Sequence, residues 1–234
     1  MKKLLLLSLS LCAAFAQAAP NDTAALKQVL QQKHQQAIGP IDQVNTTPVT
    51  GLYEIVTSDH IYYSDESGRY LIDGKLFDMQ DRRNITDARA RHLFAIDISK
   101  LPLELALKKV KGNGKRTLIT FEDPNCGYCK KMAQELEKID NLTHYLFLFP
   151  IFEGSAELVR DISCSKQPFK AWDAWMLNGV KPSKGSCTTK TDQVVALGRK
   201  LKVNGTPALI FANGVINPGY LPADQLEQAL TANQ

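Results

Sequence analysis

The chain has 234 residues, a formal net charge of +4 and 44% hydrophobic residues. This length and apolar content allow at least one full hydrophobic core and could fill two modest domains, so they do not indicate a disordered chain. Because Lys2 and Lys3 lie in a segment that we expect to be removed, the mature chain is nearly neutral. Its charge therefore gives no reason to expect a nucleic-acid partner.

Residues 1–18 have the pattern of a cleaved signal peptide. Two lysines precede an apolar run from Leu4 to Phe15, and Ala16-Gln17-Ala18 forms a small-residue cleavage site. The run is shorter than the roughly 18–20 residues that cross a bilayer, which disfavours a membrane anchor. A lipoprotein signal ending at Cys12 is also disfavoured, because a bulky leucine precedes it. We expect an exported protein whose mature chain begins near Ala19.

The cysteines indicate an oxidising compartment. Cleavage removes Cys12 and leaves an even number, consistent with two disulfides. The four remaining cysteines are Cys126, Cys129, Cys164 and Cys187. The bacterial periplasm is favoured over the endoplasmic reticulum, because the sequence ends in Thr-Ala-Asn-Gln, which is not a retention signal. In addition, a glycan on the Asn204-Gly205-Thr206 triplet would lie in the expected active site.

Residues 19–85 are predicted to form a small α+β dimerisation domain. Helical spacing of apolar residues predicts a helix over Asp22–Gln36, and short alternating runs then predict an antiparallel meander. The predicted strands are Leu52–Thr57, His60–Ser64, Arg69–Asp73 and Lys75–Asp78. So small a unit has a thin core and exposed strand edges, which pairing with a second copy would cover. A solvated sheet packed on its own helix is the alternative.

A helical linker is predicted over residues 86–111, with helix-prone segments at Thr86–Phe94 and Pro102–Val110. Residues 112–234 are predicted to form an α/β domain with a mixed sheet and a helical insertion. Its predicted elements, in order, are a strand at Arg116–Glu122, a helix through Met132, Leu136 and Ile139, a strand at Tyr145–Phe149, a mainly helical segment at 153–202, a hairpin of Ala208–Phe211 and Val215–Asn217, and a helix from Pro222.

The Cys126-Gly127-Tyr128-Cys129 motif follows a predicted strand and opens a predicted helix. Cys126 is therefore expected at the helix N-terminus, where free backbone N–H groups and the helix dipole stabilise a thiolate and lower its pKa below the free value of about 8.5. Cys129 is expected one turn later on the same face, where it can close a disulfide and release a bound partner. We therefore predict that Cys126 attacks and that Cys129 resolves.

Two other roles for this pair are less favoured. A zinc site normally needs a second close pair of ligands, and Cys164 and Cys187 are far apart in the sequence. A purely structural Cys126–Cys129 bridge would close so small a loop that it would stabilise the fold little.

Cys164 and Cys187 are predicted to form a structural disulfide. A bridge between them would close a larger loop and stabilise the fold by roughly 3 kcal/mol. A mobile second redox pair is the alternative.

Other candidate residues are assigned structural roles. The four histidines are scattered along the sequence, and none is predicted to be catalytic. Glu122 and Asp123 could tune the thiolate from the strand end, but a solvated strand terminus is the preferred interpretation. Trp172 and Trp175 have helical spacing and are predicted to pack in the core or in a cleft.

The Cys126–Cys129 motif after a strand, together with the Val203–Ala208 segment, resembles the thioredoxin superfamily and is most similar to its DsbC/DsbG family of disulfide isomerases. The segments Gly51–Ser58 and Tyr70–Gly74 resemble the N-terminal dimerisation domain of that family, and Cys164 with Cys187 matches its extra bridge. The residues expected to contact substrate are Gly127, Tyr128, Thr206 and Pro207, with a cis Thr206-Pro207 bond facing the cysteines.

This resemblance implies a periplasmic enzyme that acts on misfolded, disulfide-containing exported proteins. It implies a V-shaped homodimer with an apolar cleft, a membrane thiol reductant of the DsbD type as partner, and no metal or organic cofactor. A DsbA-like thiol oxidase is the nearest alternative, but that class places His before the second cysteine, where Tyr128 supplies no charge. A holdase chaperone with structural cysteines is the alternative from another class.

Overall fold

The computed structural model describes residues 22–234, which divide into two compact units between Thr86 and Asp87. The signal peptide predicted over residues 1–18, with Cys12, lies outside the described residues. Within the described range, no helix has the length and apolar character that a bilayer crossing requires.

The first unit is a helix packed on a four-stranded antiparallel sheet of order β1-β2-β3-β4. The Asp22 carboxylate caps the helix by accepting from the N–H groups of Ala24 and Ala25. The elements are α1 (Thr23–Ile38), β1 (Ile41–Thr46), β2 (Leu52–Thr57), β3 (Ile61–Asp65), β4 (Leu71–Ile72), β5 (Phe77–Asp78) and β6 (Arg83–Asn84). The predicted helix and the central strands of the meander are confirmed.

Two features of this unit differ from the prediction. Strand β1 was not predicted, because a bulge between Ile41 and Gln43 turns Ile41 and Val44 to the core and breaks the period of two. The last predicted strand, Lys75–Asp78, does not join the meander. Its Phe77–Asp78 portion pairs with β6 instead, because the chain turns back and the Leu76 carbonyl accepts from the Ile85 N–H.

The second unit is built on a five-stranded mixed sheet of order β11-β10-β8-β9-β7, in which β8 and β9 are parallel and the other pairs antiparallel. Apolar clusters cover both faces of this sheet. The remaining elements are α2 (Ile85–Leu93), β7 (Leu107–Lys111), β8 (Arg116–Glu122), α3 (Gly127–Leu136), β9 (Leu142–Leu148), α4 (Ser155–Ser163), α5 (Pro168–Asn178), α6 (Thr191–Lys200), β10 (Ala208–Phe211), β11 (Ile216–Pro218) and α7 (Ala223–Ala232). The predicted α/β class and its helical insertion, α4 to α6, are confirmed.

The helical linker predicted over residues 86–111 is helical mainly at its start. The helix predicted over Pro102–Val110 is wrong, because that segment contains one short 3-10 turn, Leu103–Leu105, and most of the edge strand β7. The error has a clear source. Lys109 and Lys111 point to the half-buried side of β7, where carboxylates and carbonyl oxygens accept from their ammonium groups, so the strand lacks an apolar alternation.

Candidate active site

The two cysteines of the motif lie where the central strand β8 runs into helix α3. Pro124 follows the end of β8, and Cys126 is the N-cap residue of α3. The Cys129 N–H donates to the Cys126 sulfur over 3.4 Å, and this is the hydrogen bond by which an N-cap side chain satisfies the first turn of a helix. The Cys126 sulfur therefore lies at the N-terminus of α3, where it accepts from one of the first N–H groups of the helix, while Cys129 lies on the buried face of α3.

The loop before β10 faces Cys126. The Cys126 thiol donates to the Thr206 carbonyl oxygen over 3.2 Å, and the Thr206-Pro207 bond is cis. An open groove of about 490 Å³ runs along this loop. It is lined by Lys202, Val203, Asn204, Gly205, Thr206, Pro207, Ala208, Ile216, Pro218 and Gly219. The structure thus brings Cys126 into contact with Thr206, which lines this groove together with Pro207.

Cys126 and Cys129 are both free thiols, and they differ in environment. Cys126 is 4% exposed and Cys129 is 0% exposed, so the difference in exposure is smaller than the helix-end position suggested. Burial raises the pKa of the Cys129 thiol far above its usual range, and the negative charge of Glu122 adds to this rise. Cys129 is therefore protonated at neutral pH unless a nearby base takes its proton.

Glu122 is not a solvated strand terminus, as the sequence interpretation had it, but a fully buried carboxyl group. It lies in the central strand, where helices cover the face of the sheet that it shares with Thr120. The Thr120 hydroxyl donates to Oε1 over 2.7 Å, and Oε2 has no hydrogen-bond partner within residues 22–234. Burial raises the pKa of Glu122 to about 7, which makes it a base near neutral pH.

Asp123 is also fully buried, and the solvated interpretation is wrong for it too. Its carboxylate accepts from the N–H groups of Asn125, Ile151 and Phe152 at 2.7, 2.6 and 3.0 Å, and from the Ser155 hydroxyl at 2.6 Å. These four donors satisfy the hydrogen-bonding capacity of the buried carboxyl group in place of water. Asp123 therefore ties the loop after β9 to the turn that precedes Cys126.

Three exposed apolar side chains lie on the segments next to the Cys126 turn, and we define them as the apolar rim: Tyr128, Ile151 and Phe152. Tyr128 lies in the first turn of α3, and the other two lie on the loop that Asp123 holds. All three are at least 44% exposed. Exposed large apolar side chains next to a reactive group are typical of a surface that binds another molecule.

The two tryptophans have the packing roles that their spacing predicted, and one has a further role. Trp172 is buried in the cluster that contains Cys126 and Cys129. Trp175 packs against the same cluster, and its indole N–H donates to the Pro124 carbonyl oxygen over 2.7 Å. This hydrogen bond fixes the turn between β8 and α3.

His144 is a site residue that the sequence interpretation missed. It lies on β9, is almost fully buried, and its Nε2 is 2.7 Å from the Thr120 hydroxyl and 3.8 Å from Glu122 Oε1. Burial, together with the charge of Lys109, lowers the pKa of His144 to about 3, so the imidazole is uncharged at working pH. The sequence does contain a signal for this contact. Two buried strands, β8 and β9, pair in parallel, and each has polar residues among its apolar ones, so these polar residues can meet on one face of the sheet.

Cys164 and Cys187 are joined in a disulfide with a Cα–Cα distance of 5.5 Å. Cys164 ends α4, and the bond ties that helix to the segment before α6. Gly185 packs so closely that an added Cβ would lie 2.5 Å from the Cβ of Cys164. The pair lies in the helical insertion, outside the apolar cluster that contains Cys126 and Cys129.

Replacing both Cys164 and Cys187 with serine is expected to destabilise the second unit by roughly 3 kcal/mol, because the unfolded chain regains the entropy of a closed loop. Insulin reduction per folded molecule should stay near the wild-type value. Thermal unfolding measured with and without the substitutions tests the first expectation. Loss of turnover in a folded double variant would instead assign the pair a redox role.

Among residues 22–234, no group of three or more histidine, cysteine, aspartate or glutamate side chains is placed to hold a metal ion. The reactive groups at the site are the two thiols, the backbone N–H groups at the start of α3 and the buried Glu122 carboxyl group. A dithiol at a strand-to-helix junction, facing a cis-proline loop on a mixed sheet, defines a thioredoxin-like thiol:disulfide oxidoreductase.

Comparisons with known proteins agree with this class. Residues 103–234 match the family of thioredoxin-like domains, and residues 17–87 match the family described as the disulfide bond isomerase protein N-terminal domain. The chain belongs to the DsbC family of thiol:disulfide interchange proteins, within the thioredoxin superfamily.

Two relatives and one solved structure illustrate the similarity. The chain is 44% identical to a probable thiol:disulfide interchange protein DsbC of Bordetella pertussis, over 81% of this chain and 68% of the relative. It is 30% identical to DsbC of Salmonella typhimurium, over 100% of this chain and 98% of the relative. The crystal structure of a disulfide interchange protein from Neisseria gonorrhoeae has 38% identity and a TM-score of 0.56, covering 57% of this chain and 99% of that one.

Proposed function

We propose that this protein is a periplasmic disulfide isomerase that attacks non-native disulfides of exported proteins with Cys126. The observation that carries the proposal is the pairing of Cys126, at the start of α3 and beside the Thr206 carbonyl, with a fully buried Cys129. The predicted signal peptide over residues 1–18 and the membership of the DsbC family support export to the periplasm.

The reaction begins when the Cys126 thiolate attacks one sulfur of a client disulfide. A bond forms between Cys126 and that sulfur, the client S–S bond breaks, and the other client sulfur leaves as a thiolate. The N–H groups at the start of α3 stabilise the attacking thiolate. The freed client thiolate then attacks a different client disulfide and displaces another client thiolate. That thiolate attacks the client sulfur of the mixed disulfide, which leaves a rearranged client and releases the Cys126 thiolate.

Cys129 provides a second reaction that resolves the mixed disulfide. Its sulfur attacks Cys126, a Cys126–Cys129 bond forms, and the client leaves reduced by two electrons. Because Cys129 is buried and protonated, this step needs a base, and Glu122 is the buried carboxylate whose charge acts on that thiol. We assign Glu122 as the acceptor of the Cys129 proton. Slow ionisation of Cys129 prolongs the mixed disulfide and so favours rearrangement over reduction.

The surfaces around Cys126 suit an extended client segment with apolar side chains next to its cystine. The groove along Thr206 and Pro207 lies on one side, and the apolar rim lies near the start of α3. Gly127 and Tyr128 complete the surface in the first turn of α3. We therefore assign substrate contact to these four residues, as the sequence analysis expected, and extend it to the rim residues Ile151 and Phe152.

The first unit is proposed to form a homodimer. Its edge strand β4 exposes Leu71 and Ile72, and Tyr70 beside it is 60% exposed. An unpaired apolar sheet edge is stabilised by pairing with an identical edge. Residues 19–85 are thus proposed as the dimerisation domain, residues 86–111 as the linker and residues 112–234 as the catalytic domain. A membrane thiol reductant of the DsbD type is proposed to keep Cys126 and Cys129 reduced.

Thiol trapping in growing cells tests this function. If the protein is an isomerase, Cys126 and Cys129 are mostly reduced at steady state, because only the thiolate can attack a client disulfide. Rapid acid quenching followed by alkylation and a gel-shift readout measures the reduced fraction, with the Cys164–Cys187 pair as an internal oxidised reference. A mostly oxidised Cys126–Cys129 pair would assign a DsbA-like oxidase, and a pair that never changes state would assign a holdase.

A further inference from the structure

Three buried side chains form a continuous hydrogen-bonded chain between two parallel strands. Thr120 and Glu122 lie on β8, and His144 lies on the neighbouring β9. The Thr120 hydroxyl is 2.7 Å from Glu122 Oε1 and 2.7 Å from His144 Nε2. Each of the three residues is at most 5% exposed. A buried polar network is costly when one of its atoms lacks a hydrogen-bond partner, and Glu122 Oε2 has none within residues 22–234. This cost points to a role beyond packing.

The directions of the hydrogen bonds follow from the donors available. A hydroxyl has one proton, and the Thr120 hydroxyl donates it to the Glu122 carboxylate. The contact with His144 is then satisfied only if Nε2 carries a proton and donates to the Thr120 oxygen. An uncharged imidazole with its proton on Nε2 therefore fixes the Thr120 hydroxyl as a donor to Glu122.

The surroundings keep this imidazole uncharged. A small cavity of about 20 Å³ adjoins His144, and Lys109 lies in its lining with its ammonium group 2.8 Å from Asp173 and 3.1 Å from Glu137. The charged and titratable groups around His144 are Glu122 on β8, Lys109 and Lys111 on β7, Glu137 at the end of α3, and Asp173 on α5. Lys109 opposes a charge on the imidazole, and Asp173 opposes a charge on Glu122.

From this geometry we propose that Thr120 and His144 are positioning residues for the resolving step, in which the imidazole orients the Thr120 hydroxyl and that hydroxyl holds Glu122 as the base for Cys129. The proposal rests on the role assigned to Glu122 under the proposed function. In the step itself the Cys129 proton passes to the Glu122 carboxylate, the Cys129–Cys126 bond forms, and the bond from Cys126 to the client breaks with release of the client thiolate.

The consequence is a pH dependence that the Thr120 hydroxyl controls. Glu122 is a base only when ionised, so the resolving rate rises with pH through about 7. A hydrogen bond to the carboxylate favours its charged form, so losing the Thr120 hydroxyl raises the pKa of Glu122. The fraction of Glu122 that is ionised at pH 7 then falls, and the resolving rate falls with it.

The test uses the mature protein, which lacks Cys12, and dithiobis(nitrobenzoate), a symmetrical aromatic disulfide that releases a coloured thiolate. The first release reports attack by Cys126, and the second reports displacement of the remaining aromatic thiolate by Cys129. In Thr120→Val the midpoint of the second phase is expected to rise by roughly one pH unit, with a rate about fivefold lower at pH 7. His144→Phe, which leaves the hydroxyl free to turn, should raise the midpoint by about half as much.

Matched variants separate positioning from a structural role. Thr120→Ser keeps the hydroxyl and should retain the wild-type midpoint, and so should His92→Gln on the exposed face of α2. The first phase should not change in any of these proteins. At alkaline pH the second-phase rates of Thr120→Val and wild type should converge, whereas mere loss of packing would lower the rate at every pH. Near-ultraviolet circular dichroism verifies that each variant is folded.

Glu122→Gln distinguishes failure of this inference from failure of the proposed base. Suppose that the second-phase rate of Glu122→Gln no longer depends on pH, while Thr120→Val and His144→Phe keep the wild-type midpoint. The positioning role is then overturned, and Glu122 remains the base for Cys129. If Glu122→Gln itself keeps the wild-type second phase, both assignments are overturned. If Glu122→Gln loses the titration, the positioning role of Thr120 holds when Thr120→Val raises the midpoint. The role of His144 holds when His144→Phe raises it too, and is overturned when it does not.

Discussion

Cys126→Ser is expected to lower insulin reduction by on the order of a thousandfold or more, because the serine hydroxyl is not ionised at neutral pH and cannot attack a disulfide. Cys129→Ser should still attack, since Cys126 and the start of α3 are unchanged, but it cannot close the disulfide that releases the client. Mixed disulfides with clients should therefore accumulate in Cys129→Ser. Insulin turbidity assays measure the loss of reduction, and alkylation of quenched samples followed by non-reducing gels measures the mixed disulfides.

The double serine variant of Cys164 and Cys187 is the matched control for these substitutions. It removes two cysteines at a site outside the apolar cluster that contains Cys126 and Cys129, so it measures the effect of losing cysteines elsewhere in the same unit. It should neither lose reductase activity per folded molecule nor accumulate mixed disulfides. Mixed disulfides in Cys126→Ser and their absence in Cys129→Ser would reverse the roles assigned to the two cysteines.

Replacing Leu71 and Ile72 with lysine is expected to make the full-length protein monomeric, because two charges on the short edge strand β4 oppose pairing with an identical edge. Insulin reduction per active site should stay within about twofold, while recovery of scrambled substrates should fall at least about tenfold. The difference arises because a linked second domain holds a client through several exchanges. Sedimentation velocity and the two activity assays measure these effects.

Val110→Lys is the control for the dimer variant. Val110 is 55% exposed on β7, the edge strand of the other sheet, so it tests whether any charge on an exposed strand edge has the same effect. This variant should remain a dimer with full isomerase activity. A Leu71 and Ile72 variant that stays dimeric would show that another surface pairs the chains. A monomer that isomerises as well as wild type would separate isomerisation from dimerisation.

Much of the fold follows from patterns that local physics determines. Helix α1 has its Asp22 cap and regular apolar spacing, and β2 coincides with the predicted Leu52–Thr57 strand. The position of Cys126 at the start of α3 follows from a β-rich run stopped by Pro124. These features depend on residues close together in sequence, so they can be read without knowing the tertiary structure.

The features that sequence reasoning missed depend on contacts between distant segments. Strand β7 contains lysines at half-buried positions, and its stability comes from pairing with β9 and from carboxylates on other elements. Glu122 was interpreted as solvated because strand ends usually are, and its burial depends on the elements packed over the sheet. His144 meets Thr120 only because β8 and β9 are parallel neighbours. Strand pairing and the burial of the sheet by other elements depend on the whole unit, so short sequence patterns do not reveal them.

The measurement that tests the central claim most directly is peptide mapping of the complexes that Cys129→Ser traps in cells that export disulfide-containing proteins. The account predicts client cysteines joined to Cys126 by disulfide bonds, with Cys164 still bonded to Cys187 in the same molecules. Mass spectrometry of the unreduced digest identifies each linked pair of peptides. Client peptides linked to Cys164 or Cys187, or no client complexes at all, would contradict the assignment of Cys126 as the nucleophile of a disulfide isomerase.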